Sequence, residues 1–387
     1  MKFVIIGAGI IGSAVALEFA SRGLGEVIVL EKEARLGEHA SGRNSGVLHS
    51  GINQKPGSLK ARMCVEGNRL ARRFCLEHGV RMQECGTLVV ARNEREEKAL
   101  GLLLDLGVQA GVQGLRIIDR DELNSREPEV AGTRALLSPN GAVVDSNGFL
   151  EAVAAKARDL GAVFRLGAGV RQISGLRVIT DREEFEAGHV INCAGLHADT
   201  IARMMGAGGR YRIIPFRGEY MALKKIRLNS MVYQVPDLRY PFLGVHLTRT
   251  VDGEVLAGPT AMLSFGRESY DKQVDLPETL RMTGSLNFWL LALSPEFLRL
   301  AVHNARISFS RKAFLQEVRT LWPGAAAEDL APYRSGIRAQ MVDTRGRLVD
   351  DMLVEFRQDS THVLNAVSPG LTSSLAFARY LADRIAG

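Results

Sequence analysis

The chain has 387 residues, 46% of them hydrophobic and 24% charged, with a formal net charge of +6. That apolar content buries enough surface to offset chain ordering, which excludes a disordered protein, and the length suits two domains or one large one. Forty glycines without a triplet period exclude collagen and point to tight turns, no fixed-period repeat supports a solenoid, and no apolar run reaches the ~18 residues of a membrane span.

Lys2–Ile6 is a short apolar run, predicted as a buried parallel strand. Gly7-Ala8-Gly9-Ile10-Ile11-Gly12 follows, then a helical pattern through Ile11, Val15, Leu17 and Ala20 that stops near Gly23, then a second strand over Val27–Leu30 closed by Glu31. Gly7 permits the tight turn, Gly9 lets the backbone approach a pyrophosphate, and Gly12 lets the helix pack closely on the strand. The N–H groups and dipole of the helix start attract phosphate, and Glu31, about 20 residues on, can accept hydrogen bonds from the ribose hydroxyls. A strand, helix, second strand and acidic end in register point to an ADP moiety.

Further along, Ser58–His78 has helical apolar spacing with Gly79 as its C-cap, and Gly86–Ala91 is predicted as a strand. Helices are expected over Glu94–Leu106 and Asp121–Ser125. A strand over Gly141–Asp145 leads to a helix over Phe149–Leu160 capped by Asn147, and then to a strand over Val163–Leu166. Residues 171–188 leave little room for an extended hairpin. His189-Val190-Ile191-Asn192-Cys193-Ala194-Gly195 reads as an apolar strand and turn. Short alternating runs across 210–273 predict an inserted antiparallel sheet. In 286–322, Phe288-Trp289-Leu290-Leu291 and Phe297-Leu298 lie near Arg299, Arg306, Arg311, Lys312 and Arg319, which outnumber Glu296 and Glu317. Such a region either lies on an anionic membrane surface or forms packed helices with solvated faces. Strands over Met352–Phe356 and His362–Asn365 lead to Ser368-Pro369-Gly370-Leu371-Thr372 and a final helix over Ser374–Ile385, whose N-terminus favours an anion.

Cys64, Cys75, Cys85 and Cys193 show no metal-ligand spacing and read as reduced thiols. The N-terminus lacks the features of a secretory signal, so the expectation is a cytoplasmic protein, soluble or peripheral on the inner face of the cell membrane. No metal constellation, GxSxG or Walker lysine occurs, and the scattered bases do not form a nucleic-acid stripe.

The stretch Gly37-Glu38-His39-Ala40-Ser41-Gly42-Arg43-Asn44-Ser45-Gly46-Val47-Leu48-His49-Ser50-Gly51 resembles the second pyrophosphate- and flavin-contacting segment of FAD enzymes of the D-amino-acid-oxidase-like superfamily. With Pro56-Gly57-Ser58-Leu59-Lys60-Ala61-Arg62, Pro215-Phe216-Arg217-Gly218-Glu219-Tyr220, Gly244-Val245-His246-Leu247-Thr248-Arg249, Gly258-Pro259, Gly336-Ile337-Arg338-Ala339-Gln340 and Ser368-Pro369, the chain resembles FAD-dependent L-2-hydroxyglutarate dehydrogenases over nearly its whole length. The resemblance implies an α/β fold. A Rossmann-like FAD-binding domain would be assembled from 1–80, 142–205 and 335–387, and an α+β substrate domain with an antiparallel sheet from 81–141 and 206–334. It implies non-covalent FAD held by Gly7, Gly9, Gly12, Glu31, Lys32, Ser41, Asn44, Ser45, Gly46, Ala194, Gly195, Ser368, Gly370, Leu371 and Thr372. It also implies oxidation of L-2-hydroxyglutarate to 2-oxoglutarate by hydride transfer to flavin N5, with electrons passed to a membrane quinone. The alternatives are a glycine- or sarcosine-type amine oxidase and an O₂-using 2-hydroxy-acid oxidase.

That chemistry needs a base for the hydroxyl proton and cations for the carboxylates. A neutral imidazole suits the first, and His49, beside the cofactor stretch, is favoured over His246 on the substrate sheet. Arginine suits the second. Arg338 resembles the superfamily's carboxylate-binding arginine and is assigned the C1 carboxylate. Arg217, Tyr220 and Arg249 are candidates for the distal carboxylate, and Gln340 and Ser368 for hydrogen bonds to substrate or flavin.

Overall fold

The computed structural model describes residues 1–236, 244–366 and 368–387. Its nucleotide side is a six-stranded sheet in the order Leu353–Phe356, Ser360–Asn365, His189–Asn192, Lys2–Ile6, Glu26–Leu30, Val163–Arg165. Five of these strands are parallel neighbours, and Leu353–Phe356 pairs antiparallel with Ser360–Asn365. Strands buried on both faces read as continuous apolar runs, which is why KFVII and EVIVL carry no alternation. The helices Ile10–Ser21, Leu59–Glu77, Ser146–Asp159 and Gly370–Ala386 cover one face, contributing Phe19, Phe74, Phe149 and Phe377 to a single core.

The second large sheet joins strands from 87–138 to those from 212–342 and is antiparallel except for the pair Met231–Gln234 with Thr87–Ala91. Its longest ladder joins Arg212–Leu223 to Leu330–Val342. The boundary expected at 335 falls inside this second strand, whose pairing continues to Val342, so the substrate-side sheet carries Arg338 directly to the nucleotide side.

Two local expectations, a helix cap and a helix start, differ from the structure. Asp145, not Asn147, caps the helix Ser146–Asp159, accepting the Gly148 N–H at 3.0 Å. Asp145 sits directly before the first helical residue, where a carboxylate reaches the orphan donors. Residues 170–186 hold three short antiparallel strands joined by tight turns at 175–176 and 181–183, in keeping with the little room expected there for an extended hairpin. The last helix begins at Gly370 instead of Ser374. Its small first turn is dictated by a close helix crossing, where a Cβ on Gly67 would lie 2.3 Å from the Thr372 carbonyl oxygen.

Among the described residues no helix is long and apolar enough to cross a membrane. The helices Leu286–Ala292, Pro295–Phe309 and Arg311–Arg319 occupy the segment 286–322 expected to be basic and amphipathic, and the helix Leu276–Thr283 precedes it. Phe314, Leu315 and Val318 of Arg311–Arg319 are buried in the substrate-side core. The others leave Leu276, Leu280, Leu286, Leu293, Val302 and Phe309 each more than 60% exposed.

Candidate active site

A cleft of about 740 Å³ runs from the Gly7–Gly9 turn to the substrate-side sheet. Gly7 has φ +101°, and a Cβ there would meet the Cys193 carbonyl oxygen at 2.6 Å. A Cβ on Gly12 would lie 1.9 Å from the Gly7 carbonyl oxygen, so the helix can approach the turn only without a side chain. Glu31 is held in place because its carboxylate accepts the Ala8 N–H at 2.9 Å and the Glu33 N–H at 3.0 Å. Ser41 Oγ accepts the Ile10 N–H at 2.9 Å. A second helix N-terminus, at Ser368, Pro369, Gly370 and Leu371, opens into the same cleft. The start of the helix Ile10–Ser21, behind a turn with glycine at both ends, fits a dinucleotide pyrophosphate, with Glu31 at the ribose, and the second helix start offers its dipole to the same cleft.

The expected cofactor residues divide into two groups. Gly7, Gly9, Glu31, Lys32, Ser41, Asn44, Ser45, Ala194, Gly195, Ser368, Gly370 and Leu371 line the cleft. Gly12, Gly46 and Thr372 stand behind its wall. Gly46, at φ +71°, donates its N–H to Asn44 Oδ1 at 2.8 Å, and Asn44 Nδ2 donates to the Ser41 carbonyl at 2.6 Å, so the pair fixes the shape of the loop. The Thr372 hydroxyl bonds the backbone of His49 and Val47.

At the far end, His49, Tyr220 and Arg338 line the cleft, with His246 directly behind. Burial, then the nearby His246, Lys60 and Arg338, pushes the His49 imidazole down to about 3. Burial pushes His246 down to about 4, against a smaller opposing pull from the Gly244 carbonyl. The His246 Nδ1 lies 3.0 Å from that carbonyl, which makes Nδ1 the N–H donor and leaves Nε2 with its lone pair. Both rings are therefore neutral near pH 7. Burial also lowers Arg338 and raises Tyr220, whose phenol is hydrogen-bonded to Ser45.

The other expected substrate residues lie elsewhere. Gln340 spends its amide on the Met341 and Val349 carbonyls at 3.2 and 3.0 Å. Arg249 reaches toward the Asn229 carbonyl on the outer part of the sheet. Arg217 is 3% exposed, faces Glu219 at 3.4 Å, and does not line the cleft. Strand alternation named these residues but not the face each would take. Sequence reasoning also passed over Tyr233, whose buried ring packs edge-on against His246 with centroids 4.4 Å apart and lies 6.5 Å from His49. An aromatic in a short inserted strand next to the His246 strand was the available signal.

The family model for FAD-dependent oxidoreductases matches residues 2–384. The chain belongs to that family. The oxidoreductase is 40% identical to an L-2-hydroxyglutarate dehydrogenase of Indibacter alkaliphilus, over 97% of this chain and 96% of the relative. It is 34% identical to the Escherichia coli K12 enzyme of the same name, over 99% and 92%. Among solved structures, an L-α-glycerophosphate oxidase from Mycoplasma pneumoniae with FAD bound superposes with a TM-score of 0.77 at 21% identity, over 100% of this chain and 94% of the other. The oxidoreductase is thus an FAD enzyme, and the glycine cradle suits the nucleotide half of that cofactor.

Proposed function

We propose that this flavoenzyme oxidises L-2-hydroxyglutarate to 2-oxoglutarate. The observation that carries the reading is the end-to-end similarity to L-2-hydroxyglutarate dehydrogenases, on both chains' lengths. The geometry supports it with a cleft-facing cation and a neutral base at one end of the cofactor cleft. FAD, when bound, supplies the hydride acceptor at its N5. Arg338 holds the C1 carboxylate by charge-assisted hydrogen bonds and so orients C2. His49, neutral and facing the cleft, takes the C2 hydroxyl proton as the ketone forms, and His246 stands behind it in a fixed tautomer. Tyr220 offers a protonated phenol to the rest of the substrate, since burial keeps it from ionising.

The reading extends to the acceptor. Electrons pass to a membrane quinone, and the protein reaches the bilayer through the helices between Leu276 and Phe309. Their exposed apolar side chains, with Arg281, Arg299 and Arg306 among them, suit an anionic lipid surface.

The test is anaerobic bleaching of the flavin's visible absorption by L- and D-2-hydroxyglutarate, L-lactate, glycine and sarcosine offered in turn. Rapid bleaching by L-2-hydroxyglutarate alone is the expected result. Bleaching by an amine instead would overturn the substrate.

A further inference from the structure

The strand Met262–Leu263 pairs with the edge of Arg212–Leu223, and the chain then crosses to the nucleotide side before the helix Leu276–Thr283. The crossing segment, 264–275, is tied at its base by Ser264 N–H to the Pro215 carbonyl and by Asp275 N–H to the Phe265 carbonyl, both 2.9 Å. Between these ties it makes three contacts in succession. Arg267, 4% exposed, donates to the Leu196 carbonyl and to Asp199, each at 2.5 Å. Glu268 meets Lys32 Nζ and His197 Nε2, each at 2.8 Å. The Tyr270 hydroxyl lies 2.7 Å from His39 Nδ1, and the Arg43 guanidinium sits 4.0 Å over its ring. Ser335 Oγ donates to the Tyr270 carbonyl at 2.7 Å and braces the tip.

Leu196, His197, Lys32, His39 and Arg43 all line the cofactor cleft, whereas Arg267, Glu268 and Tyr270 stand outside it. We propose that 264–275 is a strap that latches the outer wall of the FAD cleft, with Glu268 and Tyr270 as cofactor-retaining residues. Glu33, His39 and Glu268 also stand close enough together to suggest a metal centre. The Lys32 ammonium, which bridges both carboxylates, supplies the positive charge there instead.

Charge networks hold better than isolated surface pairs because each ion is fixed by several partners. The His197 hydrogen bond and Lys32 hold the Glu268 carboxyl down to about 2 against the opposing effect of burial, so the latch stays charged at neutral pH. A cleft wall held from outside does not open far enough to free a dinucleotide until those contacts part.

The experiment follows the fluorescence of flavin released from purified holoenzyme after dilution. Glu268→Gln is expected to release FAD roughly three- to tenfold faster than the parent. Lys32→Met should do the same, and the double variant should be no faster than the faster single one. Tyr270→Phe, which keeps the ring under Arg43, tests the second anchor independently and should also accelerate release. Parental release rates in both Glu268→Gln and Tyr270→Phe would overturn the strap, as would effects of Glu268→Gln and Lys32→Met that simply multiply.

Discussion

The Thr372 hydroxyl accepts the His49 backbone N–H at 3.0 Å and faces the Val47 carbonyl at 3.3 Å. The first turn of the C-terminal helix therefore holds the loop that carries the imidazole. Asn68 Nδ2 secures the same loop from the other side, donating to the His49 carbonyl at 3.1 Å. Thr372→Val keeps the shape but leaves the His49 N–H without its acceptor, at a cost of about 1–3 kcal/mol. Flavin reduction should slow about tenfold while FAD stays bound, and Thr372→Ser should restore most of the rate.

Gly12→Ala should abolish FAD binding. The added Cβ would lie 1.9 Å from the Gly7 carbonyl oxygen, which is backbone and cannot swing aside, with the Cys193 Cβ 3.3 Å away. The helix start must then retreat from the turn, and the N–H groups aimed at the pyrophosphate move with it. The ratio of visible flavin absorption to protein absorption in the purified variant checks this. A normal ratio would show that the close approach is dispensable.

The parts of the site that could be read along the chain were those encoded by short-range spacing. Gly7, Gly9, Gly12 and Glu31 are tied together by one strand–helix–strand unit, so their order on the chain already sets their order in space. Tyr233 and Glu268 had no such signature, because each gains meaning only from a distant partner, His246 in one case and Lys32 in the other. Gln340 and Arg249 show the converse. They stand in segments that resemble the family, yet strand pairing turns their side chains toward backbone carbonyls away from the cleft. The early start of the last helix was hidden for a different reason. Gly370 has poor intrinsic helix propensity, and the tight crossing at Gly67 overrides it.

Acid should destabilise the fold before it titrates the base. His246 and His362 are each pushed by burial from 6.5 down to about 4. In the unfolded chain both protonate near 6.5, while in the folded one both stay neutral until about 4. The unfolded state therefore binds more protons throughout that window, and stability falls as pH drops, on the order of 1.4 kcal/mol per pH unit for each group. Urea midpoints measured from pH 7.5 to 4.5 should decline steadily below about 6.5. Over the same range kcat/KM of still-folded enzyme should show no break near 6.5, since His49 is held lower still, at about 3. A bell-shaped limb centred near 6.5 would remove His49 from the role of base.

Leu293→Asp combined with Val302→Asp should release the protein from anionic vesicles. Both side chains are about 70% exposed (69% and 70%), so neither change disturbs a packed core. Each replaces apolar surface that the bilayer would take up and adds a charge of the same sign as the lipid. Co-sedimentation with phosphatidylglycerol vesicles should fall at least tenfold, and the parent's binding should weaken with salt. Anaerobic flavin reduction by substrate should be unaffected. Equal sedimentation of parent and variant, or none by the parent, would remove these helices as a bilayer contact.

Arg338→Lys tests the substrate assignment most directly. Arg338 reaches the cleft from the strand Leu330–Val342, half-buried near Tyr220, with His49 and His246 close enough to feel its charge. A guanidinium presents two parallel N–H groups to a carboxylate, whereas an ammonium presents one point charge on a shorter reach. The change keeps the positive charge, so FAD content and the depressed basicity of the imidazoles should survive. The lost bidentate contact should lower kcat/KM for L-2-hydroxyglutarate by about 100-fold, on the order of 3 kcal/mol. Since Arg338 orients C2 as well as binding C1, part of that loss should appear in the limiting rate of flavin reduction and not only in KM. Unchanged reduction kinetics in an FAD-replete variant would take the C1 carboxylate away from Arg338.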